Sequence, residues 1–436
     1  MSRAYLQCTE ETCQRRQEIQ KKTHDCAFCG GLLEVNYEFE GFDPEALRHT
    51  WRQRRLSDAP TDRSGVWRFR ELLPFVEPGT RIISLGEGST PLVEAPRAGE
   101  WASFGSLAIK HQGNNPTGSF KDLGMTACIT RAAAQDVRVV ACASTGNTSS
   151  SMAAYAARAG IRALLFVPRK GISPAKLAQA MDFGALVVEV GDTFDEAFKL
   201  LKAIAAELGL YLVNSTNPFR LEGQKTIVAE LLEQRSWSSP DYIAVPGGNL
   251  GNASAIGKGL RELEALGLME KVPRLVVVQA AGASPFYQML ATGARELIPW
   301  ENPLTEATAI RIGHPANWKK ARRALEWTAG LCEAVTDEEI LAAKNALAAD
   351  GVGCEPASAA AVAGVRKLRR AGKIERDAEV VAILTGHQLK DTDYILGHRV
   401  ETETSRQRLL VEPRLDALRK ALEPWLLASE PANPPR

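Results

Sequence analysis

A lysine lies at position 121 inside NNPTGSFKD (114–122), just ahead of a helical stretch through Met125 to Ala134. Pro116 and Gly118 mark a turn, so Lys121 falls in or near the first helical turn. There the positive end of the helix dipole disfavours an ammonium, and burial lowers its pKa further. A lysine kept neutral in this way is a nucleophile able to form a Schiff base. Taken alone, the same residue also reads as a surface lysine beside Asp122.

Three more motifs give it company. STGNTSSS (144–151) ends a strand and opens a helix, where free amides and short hydroxyls suit a carboxylate or phosphate. A capping cluster would need one such residue rather than six. PGGNLGN (246–252) follows the strand DYIAV and precedes another helix, so its backbone can close on a phosphate. It is not G-x-G-x-x-G, and no acidic residue ends a strand ~20 residues later, which disfavours a dinucleotide. LTGHQLKD (384–391) again follows a strand. In open α/β sheets ligands gather at the carboxyl ends of strands. An activated lysine, a phosphate cradle, a second anion site and a polar strand end together imply a phosphorylated aldehyde, and pyridoxal phosphate fits.

The elements that must hold these motifs are readable as a pattern. From Val137 onward, short apolar runs (VRVVACAS, ALLFVP, ALVVEV, YLVN, DYIAVP, RLVVVQA, EVVAILT) are separated by helical stretches. Helices are expected from Ser149 to Ala159, from Ser173-Pro174, from Asp195 to Leu208 and from Ala253. Such alternation means βαβ units and parallel sheets. The expected fold class is α/β, with two open twisted, mostly parallel sheets flanked by helices, one inserted in the other. The expected division is a ribbon at 1–37, a large domain at 38–130 and 216–410, a small inserted domain at 131–215, and a C-terminal helix and tail at 411–436. Residues 38–80 read as a wrapping segment with short helices, in which the basic run Trp51 to Arg55 is a solvated face. The last residues, SEPANPPR, read as disordered.

Composition bounds the partners. The 436 residues carry 53 Lys+Arg against 52 Asp+Glu, a net charge of +1, which argues against nucleic acid or an anionic membrane bound by bulk charge. Apolar residues at 45% with charged residues at 24% describe a globular chain. The start has no apolar secretory segment and no apolar run reaches membrane-spanning length, so a cytoplasmic location is expected. Four of eight cysteines, Cys8, Cys13, Cys26 and Cys29, fall in the first 29 residues. Clustered cysteines in such a chain favour a metal, and C-x4-C with C-x2-C-G-G resembles a zinc ribbon of structural role. His24 is a substitute ligand; free thiols, or a ribbon without its metal, are the alternative.

The order and wording of the motifs resemble the fold type II pyridoxal-phosphate enzymes of the tryptophan-synthase-β group, and within it the threonine synthases. SLGEGSTPLV (84–93), NPFRLEGQKT (217–226), ATAIRIGHPANW (307–318) and CEPASAAAVAG (354–364) carry the resemblance as well, which spans Leu6 to Asp393. It implies Lys121 as the cofactor-binding lysine and Asn147 as the partner of the cofactor's 3-hydroxyl. It further implies the amides of Gly248, Asn249, Leu250, Gly251 and Asn252 on its phosphate, and Thr385 facing its ring nitrogen. Ser144, Thr145 and Thr148 would take the substrate carboxylate, and Arg220 with Asn214 and Ser215 the substrate's own phosphate. An ion pair between Arg220 and Glu222 would defeat that last assignment.

The implied reaction converts O-phospho-L-homoserine and water into L-threonine and phosphate, with Lys121 as the base and the departing phosphate as a second acid/base. The resemblance also implies a homodimer. Related readings are β-replacement on O-phosphoserine, as in cysteate synthase, and dehydration of serine or threonine, against which a basic clamp speaks. A binding homologue without catalysis is the non-enzyme reading. Gln388 stands where the family has glycine, and His111-Gln112 where an acidic residue is common, which could retune the substrate pocket.

Overall fold

The computed structural model describes residues 3–22, 25–169, 174–399 and 410–427. At the N-terminus β1 (Arg3–Cys8), β2 (Arg16–Glu18) and β3 (Leu33–Glu38) form a small antiparallel sheet in the order β2-β1-β3. Alternation along β1 and β3 turns Leu6, Leu33 and Val35 into the core of the larger body. Next come β4 (Leu92–Glu94) and β5 (Ser106–His111). The chain then leaves to build β6 (Val139–Ala143), β7 (Arg162–Val167), β8 (Leu186–Glu189) and β9 (Tyr211–Leu212). It returns with β10 (Tyr242–Pro246), β11 (Arg274–Ala280), β12 (Leu331–Val335) and β13 (Glu379–Leu384).

Two sheets result, as the alternating pattern requires. The larger has the order β12-β11-β10-β13-β5-β4, with β4 alone antiparallel; the smaller, β8-β7-β6-β9, is parallel throughout. Three strands of the larger sheet do not stand out in the sequence: the three-residue edge strand β4, and β5 and β12. β5 ends in Lys110 and His111, and β12 carries Glu333, so neither reads as an apolar run. Tertiary partners make these polar residues tolerable. The fully buried Lys110 ammonium donates to Thr90 O and Gln234 Oε1 at 2.8 Å and is paired with Glu230.

Other expectations need adjusting. The helices begin earlier than the apolar periodicity suggests, at Lys121, Asn147 and Gly251, because glycines and hydroxyl residues occupy their first turns. The basic run Trp51 to Arg55 is not simply a solvated face. It ends the helix Pro44–Arg55, where Trp51 is fully buried and donates to Glu71 Oε2 at 2.9 Å, and Arg54 reaches the same carboxylate. The helix Pro174–Asp182 forms as expected, whereas Ser173, His24 and the SEPANPPR tail lie outside the described residues. The C-terminal helix is Leu415–Leu426. Among the described residues, no helix is long and apolar enough to cross a membrane.

The two sheets meet through the helix Lys121–Ala134. Its Leu123 and Ala127 pack in the core of the larger body, and its Met125, Cys128, Ile129 and Ala132 in the core of the smaller. This helix crosses Pro218–Gln234 backbone to backbone. A Cβ on Gly223 would overlap the Leu123 carbonyl, and one on Gly124 would lie 2.8 Å from the Arg220 carbonyl oxygen. Gly223→Ala is therefore expected to destabilise the chain by about 1–3 kcal/mol through overpacking. Gly99→Ala, where a Cβ meets only ordinary contacts from 3.4 Å, is expected to be tolerated. Urea denaturation of both variants checks the difference.

Candidate active site

In the larger sheet β10, β13 and β5 are adjacent and parallel, so the segments leaving their carboxyl ends lie side by side. These are 246–252, 384–391 and 112–122. Bridges fasten them. Ser119 pairs with Gly386 and Cys354 with His387, while Phe120 N donates to Thr385 O and His387 N to Gly118 O, both at 2.9 Å. The fourth motif leaves β6 in the smaller sheet and opens the helix Asn147–Ala159. The structure thus brings all four motifs to one cleft edge.

Lys121 is the first residue of its helix. Desolvation, then the Arg220 guanidinium, drives its pKa down to about 7, with Glu355 opposing. Its ammonium lies 4.0 Å above the Phe120 ring, and no ion pair joins it to an acid among the described residues. Asp122 is not its partner. That buried carboxylate accepts from Thr117 N at 2.7 Å and from the hydroxyls of Thr117 and Ser151 at 2.6 Å, tying the turn to the Asn147 helix. Burial raises its pKa to about 6 against these bonds.

The serine-rich motif divides in two. Ser149, Ser150 and Ser151 are buried and bonded inward, to Gly146 O, Asn147 O and Asp122. Ser144, Thr145 and Thr148 remain partly accessible at the strand end and helix start. In the glycine loop Leu250 adopts φ +60 as the N-cap of Gly251–Ala265, which turns successive amides toward one side. A Cβ on Gly248 would press on Ala309 and Ile310 at 3.1 Å. Asn249 spans the cleft floor, donating to Ser215 Oγ at 2.7 Å and accepting from Ala316 N at 2.5 Å. Asn252 is buried with neither amide atom partnered.

Arg220 is fully buried, and its Nη1 donates to Val213 O at 3.1 Å. Its Nε and Nη2 have no partner. It is not tied to Glu222, whose carboxylate is taken by Lys225, Lys258 and Tyr37. Asn214 is spent differently than expected. Its amide oxygen accepts from Ala143 N at 3.2 Å and its nitrogen donates to Ala143 O at 2.9 Å, so it staples the loop to the end of β6 and keeps one amide hydrogen besides. Ser215 keeps its hydroxyl hydrogen, since the bond from Asn249 uses only its oxygen.

Residues 83–386 match the family model for pyridoxal-phosphate dependent enzymes. The chain is 43% identical over 412 residues to the threonine synthase of Methanocaldococcus jannaschii, covering 94% of this chain and 98% of that protein. It is 42% identical to that of Methanosarcina acetivorans, covering 96% and 98%, and 46% identical to that of Mycobacterium leprae, covering 75% and 89%. The chain belongs to the threonine synthase family of pyridoxal-phosphate dependent enzymes. Its fold is also similar to that of solved relatives in wider sequence space. A processed threonine deaminase from Solanum lycopersicum aligns with TM-score 0.62 at 20% identity, over 83% of this chain and 89% of that one. An L-serine ammonia-lyase from Rhizomucor miehei aligns with TM-score 0.61 at 20% identity, over 74% and 99%.

The residues present fit the cofactor of this threonine synthase family member. A near-neutral lysine, a loop of outward amides at a helix N-terminus and an unpartnered buried amide at Asn252 are what an aldehyde bearing a phosphate requires. Asn147 and Thr385 flank the same space, both buried. The sequence reading missed their common neighbour, Glu355, which stands at the N-cap position of the helix Pro356–Arg370 and turns its carboxylate elsewhere. Its carboxylate accepts from Asn147 Nδ2 at 2.9 and 3.2 Å and lies 3.4 Å from Thr385 Oγ1. Burial raises its pKa, against Asn147 and Lys121. An acid just ahead of the small, mostly apolar run PASAAAVAGV was the available signal. Lys390 was missed too: its ammonium bridges Thr117 O, Ser150 Oγ and Gln179 Oε1 at 2.7–3.1 Å, joining both sheets.

Of the departures, Gln388 is exposed, while Gln112 is bonded to Thr90 and Asn115. His111 Nε2 lies 2.9 Å from Gly353 O. These bonds hold the wall behind the cleft. In the ribbon, the Sγ atoms of Cys8, Cys13, Cys26 and Cys29 all lie within 4.8 Å of one another. Burial pushes the Cys26 thiol up, but the amides of Phe28 and Cys29 overcome it and bring the pKa down to about 7.

The neutral amine makes a testable pH signature. Attachment of pyridoxal phosphate to cofactor-free protein, trapped with borohydride and mapped to Lys121, is expected to rise with pH through about 7. Below that the amine protonates and attachment slows. Arg220→Gln removes the neighbouring positive charge and is expected to move the midpoint upward. A midpoint at the ordinary lysine value of 10.5 would contradict the burial argument.

Proposed function

We propose that this chain converts O-phospho-L-homoserine and water into L-threonine and phosphate, the activity named for its relatives. One observation carries the choice of a phosphorylated substrate: the Arg220 guanidinium, buried with two N–H edges unpartnered, near a lysine whose pKa is lowered to about 7. A buried guanidinium with open donors is costly unless an anion completes it, and its planar fork suits a phosphate. The substrate of a serine or threonine dehydratase carries no such group.

Bound pyridoxal phosphate supplies an aldehyde for amines and a ring that takes up electron density from Cα. The protein supplies the rest. Lys121 holds the cofactor and, once released, is neutral enough to remove the Cα proton and to act at Cβ. The amides of Gly248, Asn249, Leu250, Gly251 and Asn252 hold the cofactor phosphate, and Asn147 its 3-hydroxyl. The Thr385 hydroxyl faces the ring nitrogen; a hydroxyl, unlike an aspartate, does not enforce a protonated ring. Ser144, Thr145 and Thr148 orient the substrate carboxylate. Arg220 and Ser215 grip the phosphate at Cγ and keep their hold as it departs, so that it can serve as a second acid/base while water adds at Cβ.

We also propose a structural zinc in the ribbon. Four thiolates on a tetrahedron with Zn–S of ~2.3 Å stand about 3.8 Å apart, and the Cys8–Cys29 and Cys13–Cys26 sulfurs already lie 3.4 and 3.8 Å apart.

Lys121→Ala is expected to abolish threonine formation. Arg220→Ala is expected to cost about 2–5 kcal/mol, on the order of 30- to 3,000-fold in kcat/KM with phosphohomoserine. Phosphate release from phosphohomoserine and phosphoserine, assayed side by side, checks the substrate; preference for phosphoserine would overturn the assignment. For the ribbon, metal analysis is expected to find zinc bound by the native chain and lost in Cys13→Ser with Cys29→Ser, with a lowered Tm.

A further inference from the structure

Ser358 takes no part in the roles assigned above, yet it is fully buried directly behind Thr385. It stands in the first turn of the helix Pro356–Arg370, inside the segment CEPASAAAVAG. Its oxygen accepts two backbone bonds, from Thr385 N and from Gly386 N, each at 2.9 Å. A hydroxyl oxygen has two lone pairs, and both are then occupied. The remaining contact, between Ser358 Oγ and Thr385 Oγ1 at 2.9 Å, can be made in one direction only. Ser358 has no lone pair left to accept from threonine, so it must donate. The competing acceptor for its hydrogen, Gly386 O, is 3.5 Å away, at the limit of a hydrogen bond.

The consequence falls on Thr385. Its oxygen receives the serine hydrogen, and its own hydrogen is excluded from the serine side. That hydrogen must point away from Ser358, where Glu355 Oε1 at 3.4 Å is a weak acceptor. We infer that Ser358 is a positioning residue that fixes the Thr385 hydroxyl as a hydrogen-bond donor toward the cofactor's ring nitrogen. This rests on the reading that Thr385 faces that nitrogen. A nitrogen that accepts from a fixed donor is held unprotonated. Without Ser358, the hydroxyl could turn and accept from a protonated ring instead. Two buried peptide N–H groups just past the end of β13 thus set the direction of the chain that ends at the ring.

Full-length protein reconstituted with pyridoxal phosphate labelled with nitrogen-15 in the ring, observed by NMR, tests this without relying on turnover. In the native chain the resonance is expected where a neutral, hydrogen-bonded pyridine appears; the strongly upfield position of a pyridinium would overturn the inference. Thr385→Val is expected to move the resonance downfield, toward a pyridine without a donor. No movement would mean that Thr385 does not face the ring, and the reading beneath the inference fails. Ser358→Ala is expected to move or split the resonance and Ser358→Thr to retain the native position. If Thr385→Val moves the signal and Ser358→Ala leaves it in place, Thr385 faces the ring but Ser358 does not direct it. Should Ser358→Ala fail to fold, because two buried N–H groups lose their acceptor, Ser358→Cys, a weak acceptor and donor of similar size, takes its place in the comparison.

Discussion

An amine buried at the positive end of a helix, with a guanidinium for a neighbour and no carboxylate bonded to it, gives up its proton far more readily than an ordinary lysine. The rest of the site depends on that constraint. Burial and Arg220 lower the Lys121 pKa to about 7, where an ordinary lysine would be fully charged. Asp122, the acid next in sequence, would undo this if it turned toward the lysine. It is kept away by three donors, from Thr117 and Ser151, that take up both its oxygens. The same carboxylate thereby performs two tasks, clamping the turn before the lysine and leaving the amine unpaired.

Arg220 reaches Lys121 because two helices cross at Gly124 and Gly223, closer than side chains would allow. The N-terminal ribbon braces this crossing from outside. Arg131, on the lysine's helix, donates to Ile19 O at 2.7 Å, and Tyr37 donates to Glu222 on the arginine's helix at 2.6 Å. Lys258, on the helix that starts at the glycine loop, is bonded to Val35 O and Glu222, and Lys320 to Leu33 O at 2.9 Å. Three functional helices therefore share one external support. Since Lys225, Lys258, Glu222 and Glu262 are buried together, removal of one partner would leave an uncompensated charge. A structural metal in the ribbon would thus be linked to the site through packing, at a distance from the chemistry.

Much of the fold could be read from periodicity. Strands such as Arg274–Ala280 and the helix that ends at Leu208 appear where alternation places them. Two of the failures share a cause. β5 and β12 contain Lys110 and Glu333, and a buried ion breaks a hydropathy pattern, which does not show its partners in distant segments, Glu230 for the one and Lys367 for the other. The basic run near Trp51 misled for the same reason, as Glu71 turns Arg54 inward.

By itself the sequence determined the chemistry of the parts: a lysine at a helix start, glycines and hydroxyls at strand ends, four clustered thiols. These are local matters of residue type, backbone freedom and helix polarity, which neighbours in the chain suffice to settle. Only the tertiary structure decided which parts are available. It spends Asn214 on a strand end, leaves Arg220 with open donors, separates the accessible Ser144, Thr145 and Thr148 from the buried serines that follow, and introduces Glu355, Lys390 and Ser358 as partners. Whether a polar atom is satisfied depends on groups from 27 to 240 residues away in the chain. No spacing along the chain records that accounting.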